Sequence, residues 1–377
     1  MKYLTLICII FLISIFSCSD SDNSTGSNPS VCTDNNSFDC ARRIYPGEEN
    51  FDTIKTNTDN NYFIFTTYKP VVIEVNISQV PSNLDLNLEI YKQGNPNKIK
   101  WNHNAQAGQD VSDMVLQKEG TFFIKIYDRD YNASNNNQAY KIVLNLDSSD
   151  IYEYNNSFEV SSLIPLNTPV YAKIKPGYDI DIFKSPVYRA GVVDIRLTNV
   201  PSDLMVTMEL FSSAYFNPLL TTSAIQPGQS LRLTYLGESA TYYARLYSAG
   251  YSNSFYTLRI DLDTTDIYEM NNMFENATLI CKNTDYFAKI YPAGDEDFYK
   301  ISLTQNNTVW VTLVPLPIRF HLEVYNDNFS LLHSVNSTGP GQPINFVMPP
   351  VSPGDYFIVL SALSNAQSED FYKLRID

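Results

Sequence analysis

Two sets of oxygen-bearing side chains recur with one internal spacing: Glu153, Asn155, Asp179 and Asp181, then Glu269, Asn271, Asp295 and Asp297. Carboxylates and amides gathered this way suit a hard divalent cation, which takes about six to eight oxygen ligands. The same residue types have a plainer use, because Asn pairs cap turns and an Asp before a strand bonds nearby backbone. Both readings stay open on the residues alone. The corresponding positions of an earlier copy are Thr33, Asn35, Asp59 and Asn61, too few charges to expect a metal there. That copy has Cys32 and Cys40 instead, where the next has Tyr152 and Val160. A disulfide between them would close a short loop worth roughly 2 to 3 kcal/mol. Two separate buried thiols are the alternative. Cys281 is left single and is expected to be buried and inert.

Other chemistry finds no support. The three histidines, His103, His321 and His333, do not recur between copies, and neither a Ser-His-Asp or Cys-His arrangement nor a zinc-type His/Cys cluster can be assembled from their spacing. Paired carboxylates two apart can in principle cleave glycosidic bonds. Repetition of Asp179/Asp181 as Asp295/Asp297 instead favours a structural or metal role, so no enzyme is expected. With a net charge of −15 the chain would repel a phosphate backbone, which excludes a nucleic-acid partner. Trp101, within Lys98-Ile-Lys-Trp-Asn-His, is the best single candidate for an exposed ligand contact, and Trp310 fits the outward face of an alternating strand.

These residues sit in a threefold repeat. Asn-Asn-x-Phe occurs at 35–38, 155–158 and 271–274, and residues 150–184 and 266–300 share 19 of 35 positions. The copies run over 31–149, 150–265 and 266–377. Each is long enough to own a core, so the expectation is beads in tandem, not a solenoid. Within a copy the apolar period is 2: Val71, Ile73, Val75 and Ile77 alternate with Val72, Glu74 and Asn76, and Val193/Ile195/Leu197 and Val309/Val311/Leu313 repeat the pattern. With 27 Tyr, 21 Phe and turn residues about every ten positions, the spacing predicts an all-β chain of three antiparallel β-sandwiches.

The start of the chain reads as an address. Lys2 precedes an uncharged apolar run from Leu4 to Phe16, the pattern of a secretory signal and too short to span a bilayer. Ile15-Phe16-Ser17-Cys18 resembles a bacterial lipobox, which implies a signal peptide over 1–17, lipid on Cys18, and attachment to a membrane without a helix. Residues 18–30, rich in Ser, Asn and Asp, read as a flexible tether. The expected location is the bacterial cell envelope, lipid-anchored at the outer membrane, with the periplasmic and the surface face both open on the residues alone.

Glu153-x-Asn-Asn-Ser, Asp179-x-Asp-x-Phe, the Leu-x-Leu-x-Ile-Tyr strand at 86–91 and the Gly120-Thr-Phe-Phe step, in this order in each copy, resemble the bacterial pre-peptidase C-terminal domain. The resemblance implies a jelly-roll-like β-sandwich that accompanies secreted enzymes without being catalytic. Relatives in clostridial collagenases bind collagen and calcium, so it also implies Ca2+ on the acidic sets of the second and third copies. The function expected is adhesion to an extracellular protein or polysaccharide; the alternative is a spacer or envelope-assembly component with a bacterial protein partner.

Overall fold

A computed structural model describes residues 32–377, apart from 104, 105 and 216. The signal peptide, Cys18 and the tether therefore lie outside the described residues.

The first unit is built from nine strands: β1 (Arg42–Arg43), β2 (Glu49–Ile54), β3 (Asn60–Thr67), β4 (Val71–Ser78), β5 (Leu86–Lys92), β6 (Lys98–His103), β7 (Val111–Gln117), β8 (Gly120–Asp128) and β9 (Asn135–Asp147). They form a five-stranded sheet in the order β1-β3-β8-β5-β6 and a four-stranded sheet in the order β2-β9-β4-β7. All neighbours are antiparallel except the two-residue β1, which runs parallel to β3. The second and third units repeat both sheets in the same strand order. The chain is thus nearly all β, in three tandem sandwiches.

Each sandwich closes on the side chains that the period of 2 selects. Val71, Ile73, Val75 and Ile77 of β4 meet Leu86, Leu88 and Ile90 of β5 and Ile124 and Ile126 of β8 in one buried cluster, and the other two units own equivalent clusters. Burying apolar faces from both sheets is what makes two open sheets into one stable unit. Alternation fails in one informative place: Val72, on the wet face by pattern, is buried, as is its counterpart Val192. Both lie where one unit meets the next.

The Asn-Asn-x-Phe motif ties each unit's entry to its five-stranded sheet. The first Asn carbonyl accepts from the following strand, Tyr62 N–H at 2.7 Å, Ile182 N–H at 3.1 Å and Phe298 N–H at 2.8 Å in the three copies. The Phe then lies on the outer face: Phe38 against Tyr62, Tyr91 and Phe123, Phe158 against Phe211 and Tyr243, Phe274 against Phe298, Tyr325, Phe329 and Phe357. One motif therefore sends its amide inward and its ring outward.

Candidate cation sites at the unit joints

The acidic sets converge in space. In the second unit Asp150, Glu153 and Asp181 each offer a carboxylate oxygen within 4.8 Å of the others, and in the third Asp266, Glu269 and Asp297 do the same. Asp181 and Asp297 sit on the strands Ile180–Val187 and Glu296–Leu303, whereas the others come from the segment that enters each unit. Asp181 is fully buried; its Oδ2 accepts from the Tyr256 hydroxyl at 2.6 Å, and its Oδ1 has no partner. Asp297 pairs with Tyr372 at 2.5 Å in the same way, and its Oδ1 is again unpartnered. Glu153 Oε1 and both carboxylate oxygens of Glu269 are also buried without partners, as are Asn155 Oδ1 and Asn271 Oδ1.

Buried oxygens left unpaired are costly, and several of them aimed at one point call for a positive charge. The proton affinities say the same. Burial, and then repulsion from Asp179, Asp181 and Asp150, pushes the Glu153 carboxyl up to about 11. Burial followed by Asp295 and Asp266 pushes Glu269 up to about 9. Asp181 and Asp297 are raised well above the carboxylate range, by burial first and by neighbouring carboxylates second. Protons hold together what a cation would hold better.

Sequence reasoning had placed Asp179 and Asp295 in these sets. The structure gives their carboxylates local work: Asp179 accepts from Lys175 N–H at 3.1 Å, Ile180 N–H at 3.0 Å and Asn156 Nδ2 at 2.7 Å, and Asp295 accepts from Tyr291 N–H at 2.9 Å and Asn272 Nδ2 at 3.1 Å. Their charges still face the sites. The residues missed are Asp150 and Asp266, although Asp-Ile-Tyr-Glu stands in both copies and was a readable signal.

Each set lies against the preceding unit. A cavity of ≈ 10 Å³, about one water-sized sphere, is lined by Asp147, Asp150, Glu153, Lys173 and Lys175, with Val71, Val72 and Leu116 of the first unit as its wall. Its counterpart at the next joint, also ≈ 10 Å³, is lined by Asp263, Asp266, Glu269 and Lys289 together with Gly191 and Val192. Lys173 and Lys289 pair with the neighbouring Asp147 at 3.2 Å and Asp263 at 2.8 Å, and their charges also favour ionised Asp150 and Asp266 against the burial that raises both.

The first unit builds the same place with fewer carboxylates, and its Asp52 is paired with Arg42 at 3.3 Å. Asn61 donates to Thr53 O and to the Tyr140 hydroxyl, both at 2.9 Å, so an amide replaces the Asp–Tyr pair. Asn35 donates to Asp52 at 3.0 Å, and Cys32 and Cys40 form a disulfide. Thr33 is exposed. Cys281 is exposed too, which corrects the expectation of a buried thiol: it follows the short edge strand Thr278–Ile280 and leaves the core there.

Trp101 is 53% exposed. It stands in a cross-strand row on the outward face of the first five-stranded sheet, Trp101 (β6), Glu89 (β5), Lys125 (β8) and Tyr62 (β3). Glu89 is buried in that row and accepts from Lys98 at 2.8 Å, Tyr91 at 2.6 Å and Tyr127 at 3.2 Å. Trp310 is likewise exposed, opposite Val347.

No known family model matches the sequence, and no curated protein does. Among solved structures the chain is similar to the pre-peptidase C-terminal domain of a collagenase from Bacillus anthracis, at 20% identity and a TM-score of 0.23, over 27% of this chain and 94% of that one. This is the domain type that the motifs resemble. It is also similar to the M60 catalytic domain with the CBM51-1 and CBM51-2 domains of Clostridium perfringens ZmpB, at 9% identity and a TM-score of 0.20, over 89% of this chain and 38% of that one. A third match is the CUB1-EGF-CUB2 region of human MASP-1/3, at 11% identity and a TM-score of 0.18, over 56% of this chain and all of that one.

Proposed function

We propose that the protein is a lipid-anchored, non-catalytic cell-envelope protein whose sandwiches bind an extracellular protein or polysaccharide, with Ca2+ in the second and third units. The observation that carries the reading is the aromatic outward face of the first unit. Trp101 and Tyr62 end a row that spans four strands, and Tyr91, Tyr127 and Tyr131 flank it. Aromatic rings on a rigid sheet give contact area at low entropy cost, which suits a polymer that presents repeated weak contacts. Calcium would be held by Asp150, Glu153 and Asp181 and by Asp266, Glu269 and Asp297, hard oxygens for a hard cation. Anchoring rests on the lipobox-like segment ending at Cys18.

The test is binding of the chain from Ser19 onward to immobilised collagens, other matrix proteins and polysaccharides, with calcium and with chelator. Saturable binding that falls at least tenfold in Trp101→Ala is the expected result. Absence of binding under both conditions would move the protein to the spacer reading.

A further inference from the structure

The joint between the second and third units carries a polar contact that the first joint lacks. Arg232, Arg196 and Arg259 stand opposite one another in a row across the strands Leu231–Gly237, Gly191–Thr198 and Tyr256–Asp263. Like charges side by side on a sheet repel. The adjacent row offsets this, because the buried Asp194 accepts from Arg232 Nε and Nη2 at 2.9 and 2.8 Å and from Arg196 Nε at 2.7 Å, and Asp261 accepts from Arg259 Nε at 2.5 Å. With its fork fixed by Asp194, Arg232 still has donor capacity, and it is spent across the joint. The one Nη2 hydrogen not directed at Asp194 is shared between the Tyr291 hydroxyl at 2.7 Å and Glu369 Oε1 at 2.9 Å, both in the third unit.

At the first joint the corresponding residues are Ser112, Glu74, Lys175 and Asn253. Ser112 has no fork, and Lys175 turns instead to Asp147 at 3.4 Å and Asn253 at 2.8 Å. What crosses there, besides the Asp147–Lys173 pair that the second joint matches with Asp263–Lys289, is the longer Asp147–Lys175 pair at 3.4 Å, apolar packing by Val72 and Leu116, and the Lys118 ammonium over the Tyr154 ring. Apolar contact is non-directional, whereas a planar guanidinium held by a buried carboxylate sets one orientation. Small contacts between units otherwise allow relative motion.

We propose that Arg232 is the docking residue that locks the second and third units into one rigid body, through Tyr291 and Glu369, and that the chain hinges at the first joint. The side-chain bonds of the lock use no carboxylate of the acidic sets, although the Tyr291 N–H donates to Asp295 beside the third unit's set, so the lock is read both with and without a cation.

Distances between spin labels test this on the chain from Ser19 onward, in excess calcium and again in chelator. One pair is the exposed native Cys281 with Ile225→Cys; the other is Asn57→Cys with Ile225→Cys in a Cys281→Ser background. The first pair is expected to give one narrow distribution that widens at least twofold in Arg232→Ala and in Tyr291→Phe, and the second a broad one that neither variant changes. An unchanged first pair in both variants, or a second pair as narrow as the first, overturns the proposal. Should Arg232→Ala lose its folded circular dichroism, Tyr291→Phe and Glu369→Ala, which leave the Asp194 network in place, decide the question.

Discussion

Asp181 and Asp297 face the same conflict, a carboxylate with one hydroxyl partner and one bare oxygen in a fully buried place. Without a cation, protons resolve it, which fixes the sign of the pH dependence. A carboxyl whose folded pKa lies above its unfolded value near 4 binds more protons folded than unfolded between the two, so stability falls as pH rises through that window. Here the window runs from about 4 up to the folded values, about 6 for Asp179, where burial is the main cause, and about 11 for Glu153. In chelator, the melting temperature of the second and third units is therefore expected to drop between pH 5 and pH 8. One pKa unit is about 1.4 kcal/mol, and for a unit of this size that is on the order of 5 °C or more. Excess calcium displaces the protons and should flatten or reverse the trend, because its affinity rises as the carboxyls ionise. Calorimetry across that range with and without chelator measures both slopes, and a flat profile in chelator would deny the acidic sets this role.

At the scale of elements, strand identity was written plainly in the sequence, because a half-buried strand must alternate and Val71 to Ile77 does. The joints were not legible for the same reason. A contact between units has no period, so Val72 reads as a wet-face residue until the next unit covers it. Asp150 and Asp266 carry local turn chemistry, accepting from Tyr152 and Lys173 N–H and from Tyr268 and Lys289 N–H; only the fold brings Asp181 and Asp297 alongside them. Packing inside a unit shows a subtler dependence. A Cβ on Gly237 would lie 2.2 Å from the Tyr242 hydroxyl, which donates to Glu238 O at 3.0 Å. In the first unit the pair is Gln117 and Phe122, a side chain where the hydroxyl is absent. Gly237→Ala should therefore destabilise the second unit by about 1 to 3 kcal/mol, the usual cost of overpacking. Tyr242→Phe removes the nearest contact but leaves the ring Cζ 2.7 Å from the new Cβ, so it should recover only part of the loss, a coupling that urea unfolding of the four-member mutant cycle reads directly.

Across the whole molecule, one fold is held at its entry by two different means. The second and third units gather acids that need a cation or protons, and the first uses Asn61, Asn35 and the Cys32–Cys40 disulfide. The units own separate cores, so they can respond separately. Chelation at pH 8 should lower protection from hydrogen exchange in strands Ile180–Val187 and Glu296–Leu303 while leaving β3, their counterpart, unchanged. Reduction should do the opposite, loosening the entry of the first unit, where a closed loop of this length contributes roughly 2 to 3 kcal/mol. Exchange measured by mass spectrometry on one sample, with chelator, reductant, both or neither, resolves the units by peptide. Asn61→Asp adds a cross-check. It removes the donor to Thr53 O and puts a charge beside Tyr140, so it should weaken the first unit by about 1 to 3 kcal/mol at pH 8. Calcium should not restore that loss, because Thr33 supplies no carboxylate where the other units have Glu153 and Glu269. Restoration by calcium would mean that Asp181 and Asp297 alone define the cation sites, and that the entry-segment carboxylates serve the joint instead of the ion.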